Sequence, residues 1–179
     1  MEGGFTPFRI TLFNALLLIL SGCVTGANDD FRFSAAKLSS DAWSPSKIPD
    51  FRDFPVRENF DGAPAVLSSE KMASFRDFQS DFEAAIADGP DFAGHFKIVL
   101  LGCGTGCQRV FVVNVISSDI AEAPFQTSVG AEYQGDSALL IANPVSVVSA
   151  VYGDEKPDWI RTTYYVWSAG EFVPVFESY

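Results

Sequence analysis

Two β-branched apolar runs, FKIVLL at 96–101 and VFVVNVI at 110–116, flank a segment made largely of glycine and cysteine, Gly102-Cys103-Gly104-Thr105-Gly106-Cys107-Gln108. Such runs favour extended backbone and need burial, so they commit this part of the chain to a sheet. More strands follow. Ser117-Ser118-Asp119 reads as a turn, and SALLIA at 137–142 reads as a strand ended by Asn143-Pro144. Positions 162–167 alternate, with Thr163, Tyr165 and Trp167 on one face. The turn Ser168-Ala169-Gly170 then returns the chain through a hairpin partner at 172–176. Upstream, the spacing predicts a helix over 68–87. Met72, Phe75, Phe78, Phe82, Ala85 and Ile86 recur at steps of three and four, and Gly89-Pro90 stops the pattern. Phe51 to Val56 reads as a short edge strand, because Pro55 bars a central position. One helix before five or six strands predicts an α+β fold, an amphipathic helix packed on a mainly antiparallel β-sheet. With 47% apolar residues the chain has material for such a core, and global disorder is excluded.

The N-terminus carries a different kind of information. The run ITLFNALLLIL at 10–20 is 11 residues long, short of the roughly 20 that a spanning helix needs. It matches the apolar region of a secretory signal peptide. Leu20-Ser21-Gly22-Cys23 follows at once and resembles the lipobox of bacterial lipoprotein precursors. The resemblance implies cleavage after Gly22 and lipid addition at the thiol of Cys23. Val24 stands where an aspartate favours inner-membrane retention, so the expected location is the outer membrane, facing the periplasm. Three regions follow: a signal peptide at 1–22, a lipid-anchored tether at 23–49 rich in Ser, Asp, Ala, Gly and Pro, and a single α+β domain at 50–179. Phe31, Phe33 and Trp43 are the tether residues suited to docking on that domain.

Charge narrows the partners. Twelve basic and 23 acidic side chains give a net charge of −11. No basic run exists, which excludes an ordinary nucleic-acid binder. An acidic body is repelled by anionic headgroups, so the membrane is reached through the lipid anchor. Another envelope protein or peptidoglycan is the expected further partner.

Ile98 to Gly106 looks like the glycine-rich first motif of S-adenosylmethionine methyltransferases, but the likeness fails. The acidic residue expected two places before the first glycine is Leu100 here, and the turn should open a helix where Gln108 to Ile116 is strand-forming. A broader set of segments carries a second resemblance: Gly89 to Phe96 (GPDFAGHF), GCGTGCQ, Asp136 to Pro144 (DSALLIANP) and Tyr164 to Trp167 (YYVW). In order and spacing these resemble a family of secreted bacterial proteins of unassigned activity, over roughly residues 50–179. That likeness implies an envelope location and a shared fold, and makes the glycine-cysteine segment part of that fold.

With Cys23 taken by lipid, Cys103 and Cys107 remain as one pair, and an oxidising envelope favours a disulfide between them. Two readings stay open. One is a structural disulfide, with no cofactor, metal or catalytic residue. The other is a thiol-redox or copper-handling pair, in which Cys103, Cys107 and His95 hold a soft ion such as Cu(I). His95 is the only histidine, so any Ser-His-Asp triad would have to use it, and no GxSxG elbow is present. Asp29-Asp30 and Asp154-Glu155 read as solvated loops. Tyr164, Tyr165 and Trp167 offer a sugar-stacking platform suited to peptidoglycan, although a half-buried hairpin uses the same residues for packing. The functional expectation is a lipid-anchored, non-enzymatic envelope module that binds or supports another component.

Overall fold

The computed structural model describes residues 47–178. Cys23, the lipobox, Asp29-Asp30 and the tether aromatics Phe31, Phe33 and Trp43 lie outside the described residues. The two runs beside the glycine-cysteine segment pair as an antiparallel hairpin, β1 (Phe96–Gly104) with β2 (Cys107–Asn114), in register from Phe96 opposite Asn114 to Gly102 opposite Gln108. β3 (Ile120–Thr127) joins the far edge of β2 and completes a three-stranded sheet. A second antiparallel sheet holds β4 (Ala131–Tyr133), β5 (Leu139–Ala142), β6 (Thr162–Ser168) and β7 (Glu171–Ser178), in that order. The α+β class expected from the sequence is the class observed. The strands, however, divide between two sheets rather than one.

The near-continuous hydrophobicity of β1 and β2 has a direct cause: both faces of their sheet are covered. Ile98, Val110 and Val112 point into a core shared with Leu139, Leu140, Tyr164, Val166, Trp167 and Phe172 of the second sheet. Their chain neighbours Val99, Leu101, Phe111 and Val113 point the other way, against Met72, Phe82 and Ile86. Strands buried on one face alternate apolar with polar, whereas strands buried on both cannot. Phe82 and Phe111 are fully buried with ring centroids 5.4 Å apart, and Phe75 lies 5.6 Å from Phe111. Each such ring contributes about 1.5–3 kcal/mol by leaving water.

The predicted 20-residue helix is shorter than its apolar stripe. Helix α1 spans only Gln79–Ala87, after a single 3-10 turn at Arg76–Phe78 and a run of turns from Ser69. The break is at Phe75, whose φ of −130° and ψ of 25° leave the helical region. A straight helix would set Met72 and Phe82 about 15 Å apart along its axis. Breaking it lets Met72, Phe75 and Phe82 converge on one patch around Phe111.

The edge strand expected at 51–56 is also corrected. Asp50 accepts from the Arg52 N–H and Asp53 accepts from the Asp50 N–H, a reciprocal cap that turns Phe51–Asp53 into a 3-10 helix. Only Pro55 keeps a bridge, to Ser137. Finally, helix α2 (Val145–Tyr152) forms from VSVVSAVY, a string with strand propensity. Asn143 sits in the left-handed region at φ 50° and Pro144 follows at φ −55°. Val147 and Val148 both donate to the Pro144 carbonyl and start the helix.

Candidate functional site

The glycine-cysteine segment forms the tip of the β1–β2 hairpin. Gly104 and Gly106 take φ values of 133° and 65°, a tight reversal that side chains resist. Cys103 lies in a register shift between Gly102 and Gly104, opposite the start of β2, and is joined to Cys107 by a disulfide. The tip is solvent-exposed from Gly102 to Gly106. Since β2 returns antiparallel from Cys107, no helix opens at the turn, and the cofactor-cradle likeness of this motif has no structural counterpart.

His95 does not belong to this tip. It precedes β1 while Cys103 lies near the strand's other end, and eight extended residues span about 26 Å at roughly 3.3 Å each. The imidazole is half-buried with its centroid 4.1 Å from that of Phe96, and desolvation lowers its pKa from the ordinary 6.5. The three-residue copper site drawn from the sequence is therefore not assembled. Among the described residues no group of three or more His, Cys, Asp or Glu side chains converges as a metal site. Nor do Tyr164, Tyr165 and Trp167 form a shared platform. Tyr164 and Trp167 are each 7% exposed within the core, and Trp167 packs against Phe96 and Phe172. Asp154 and Glu155 are exposed in a 3-10 turn, as a solvated loop requires.

A cleft of about 400 Å³ opens beside the disulfide tip. Gly106 and Cys107 form one side with Gln126 and Ser128, while Thr163, Tyr165 and Glu177 of the second sheet form the other. Trp159 and Arg161 contribute from the segment entering β6. Both sheets thus supply walls. Tyr165 stacks on Phe125 with centroids 3.8 Å apart and planes 6° from parallel, so the cleft wall is continuous with the shared core. Burial raises the Tyr165 phenol above its ordinary pKa, and it stays protonated at neutral pH.

Asn143 fixes the floor. Its Oδ1 accepts from the Ser128 and Val129 N–H groups at 2.6 and 3.2 Å, and its Nδ2 donates to the Arg161 carbonyl at 3.1 Å. The Thr162 hydroxyl donates to the Asn143 carbonyl at 2.6 Å. Thr127 donates to Gln108 Oε1 at 3.1 Å and ties the same segment back to β2. One side chain thereby holds the β3–β4 connection against the start of β6.

Trp159 is the unusual wall residue. Its side chain is 65% exposed, while its neighbour Ile160 is 1% exposed. The Ile160 N–H donates to the Pro157 carbonyl at 3.0 Å, closing a turn with Asp158 and Trp159 at its corners. A buried anchor beside a displayed indole is a fixed presentation rather than a loose tip. No sequence pattern marks Trp159, Arg161 or Glu177 as site residues, and Asn143 stands out only as the end of a strand. The available signal was one aromatic in the polar stretch GDEKPDWIRTT, outside any periodic pattern.

A scan against protein-family models, a search of curated proteins and a search of solved structures each return no match to this chain.

Proposed function

We propose that this chain is a lipid-anchored envelope protein, attached through Cys23, whose α+β domain is a non-enzymatic binding module working at the cleft beside the disulfide tip. The observation that carries the anchor is the LSGC string placed directly after an 11-residue apolar run. The disulfide between Cys103 and Cys107 supports an oxidising compartment, and the GCGTGCQ segment resembles that of secreted bacterial proteins. Binding rather than catalysis is favoured by the lining of the cleft. Its only charged members among the described residues are Arg161 and Glu177, which face each other at 3.7 Å, and it holds no histidine. The one carboxylate there, Glu177, is paired with Arg161, and the one cysteine, Cys107, is closed in a disulfide.

Mass spectrometry of the mature N-terminus tests the anchor. Cleavage before Cys23 with a diacylglyceryl group on its sulfur is the expected result, and Cys23→Ala abolishes both. A mature N-terminus without lipid in the wild-type protein refutes the reading.

A further inference from the structure

We infer that the cleft is a saccharide site that takes neutral pyranose units of an envelope glycan, with Trp159 as the stacking surface. This rests on the binding-module reading above and names its ligand class.

Three observations point the same way. First, the lining carries no net charge: Arg161 and Glu177 cancel, on a chain whose net charge is −11. A phosphate or carboxylate seated in the cleft itself meets no surplus cation there. Second, uncharged polar residues, Gln126, Ser128 and Thr163 with the protonated Tyr165 phenol, line the cleft alongside the apolar Ala142 and Ile160. Neutral amides and hydroxyls match the alternating donors and acceptors of sugar hydroxyls. Third, an indole 65% exposed is held outward on a closed turn anchored by buried Ile160. The face of an indole is electron-rich, and the axial C–H groups on one face of a pyranose carry partial positive charge, so the two stack. A cation would require surplus carboxylates, and Glu177 is offset by Arg161. A volume of about 400 Å³ stands near the lower end of the ~300–1,000 Å³ usual for small-molecule sites, room for a mono- or disaccharide unit of a longer strand.

The test uses the full chain, purified from the envelope in a non-glycosidic detergent. Probes are chitotetraose, cellotetraose and insoluble peptidoglycan sacculi. Soluble probes are read by tryptophan fluorescence and calorimetry, sacculi by co-sedimentation. Chitotetraose binding with retention on sacculi identifies the peptidoglycan glycan strand as the source, and cellotetraose binding alone identifies a neutral glucan. Trp159→Ala should weaken binding at least about tenfold with an unchanged melting temperature, because the side chain is exposed, and Trp159→Phe should fall between. Failure of all three probes overturns the inference, as does full affinity in Trp159→Ala. The same preparation is examined for lipid on Cys23. A lipidated protein that binds no probe overturns the saccharide site alone, while a sugar-binding protein without lipid overturns the anchor alone.

Discussion

Asn143→Ala is the substitution whose cost the structure defines most sharply. The side chain is 9% exposed and makes three hydrogen bonds, to the N–H groups of Ser128 and Val129 and to the carbonyl of Arg161. Each is worth about 1 kcal/mol net, and alanine leaves all three backbone groups without that partner. Asn143 also occupies φ 50°, where alanine is strained by roughly 1 kcal/mol while asparagine is tolerated. Together these predict a loss of about 4 kcal/mol. At roughly 4 °C per kcal/mol for a domain of this size, the melting temperature falls by about 15 °C. Asn143→Gly separates the contributions: it loses the same three bonds without the backbone strain, so it should be about 1 kcal/mol more stable than the alanine variant. Urea unfolding followed by far-UV circular dichroism measures both. An alanine variant within about 1 kcal/mol of wild type would refute the claim that this side chain holds the β3–β4 connection to β6.

Replacing Cys103 and Cys107 together by serine should cost about 2 kcal/mol, the loop-closure value for a five-residue ring, measured by urea unfolding. As a scaffold bond the pair should resist a glutathione buffer, with a potential below about −300 mV; two free thiols in protein isolated without reductant would reverse that assignment. The pH response should show two windows. Burial holds the His95 pKa below 6.5 in the folded chain, so the unfolded chain binds the proton first, and stability falls as pH drops from about 6.5 toward the folded value. Glu122, held low by its hydrogen bonds from Arg109, and Asp119, held low by Lys71 and Ser117, act further down: their stabilisation is present above the ordinary carboxylate range and lost below it. Urea midpoints at about pH 7.5, 6.5 and 5.5 should decline in wild type and flatten in His95→Gln; an equal decline in both would remove His95 as the cause.

The fold was legible where burial imposes a one-dimensional pattern. The runs at 96–101 and 110–116 are strands because Ile98, Val99, Val110 and Phe111 alternate between two cores, and continuous hydrophobicity signals that arrangement. The stripe from Met72 to Ile86 correctly listed residues that meet the sheet, yet periodicity could not reveal the break at Phe75. That break follows from the position of Phe111, more than thirty residues further along the chain. β3 escaped notice because Pro124 interrupts its pattern, and Pro124 is exposed on a strand at the sheet edge, where a missing N–H costs little. Helix α2 is the clearest conflict between local preference and outcome. Its valines favour a strand, and the reversal at Asn143-Pro144 overrides them.

The site was less legible, for a related reason. Motif reasoning weights residues with intrinsic reactivity, and it singled out Cys103, Cys107 and His95. Extended β1 then places His95 and the cysteines at opposite ends of one strand. The cleft is instead built from residues whose chemistry is ordinary and whose placement is not. Gln126 lies at the end of β3, Asn143 after β5, Trp159 before β6 and Glu177 near the end of β7. No local spacing relates four positions on four different elements; only the pairing of β2 with β3, and of β5, β6 and β7 in turn, brings them to one side. The disulfide tip fits this reading as a wall rather than a reactive centre. Gln126 Oε1 lies 3.4 Å from Cys107 Sγ, a van der Waals contact that sets the tip beside the cleft edge. A covalently closed tip on one side and a closed, Ile160-anchored turn on the other give the cleft two fixed rims. Fixed rims reduce the ordering cost of binding, which matters most for a ligand whose individual contacts are weak.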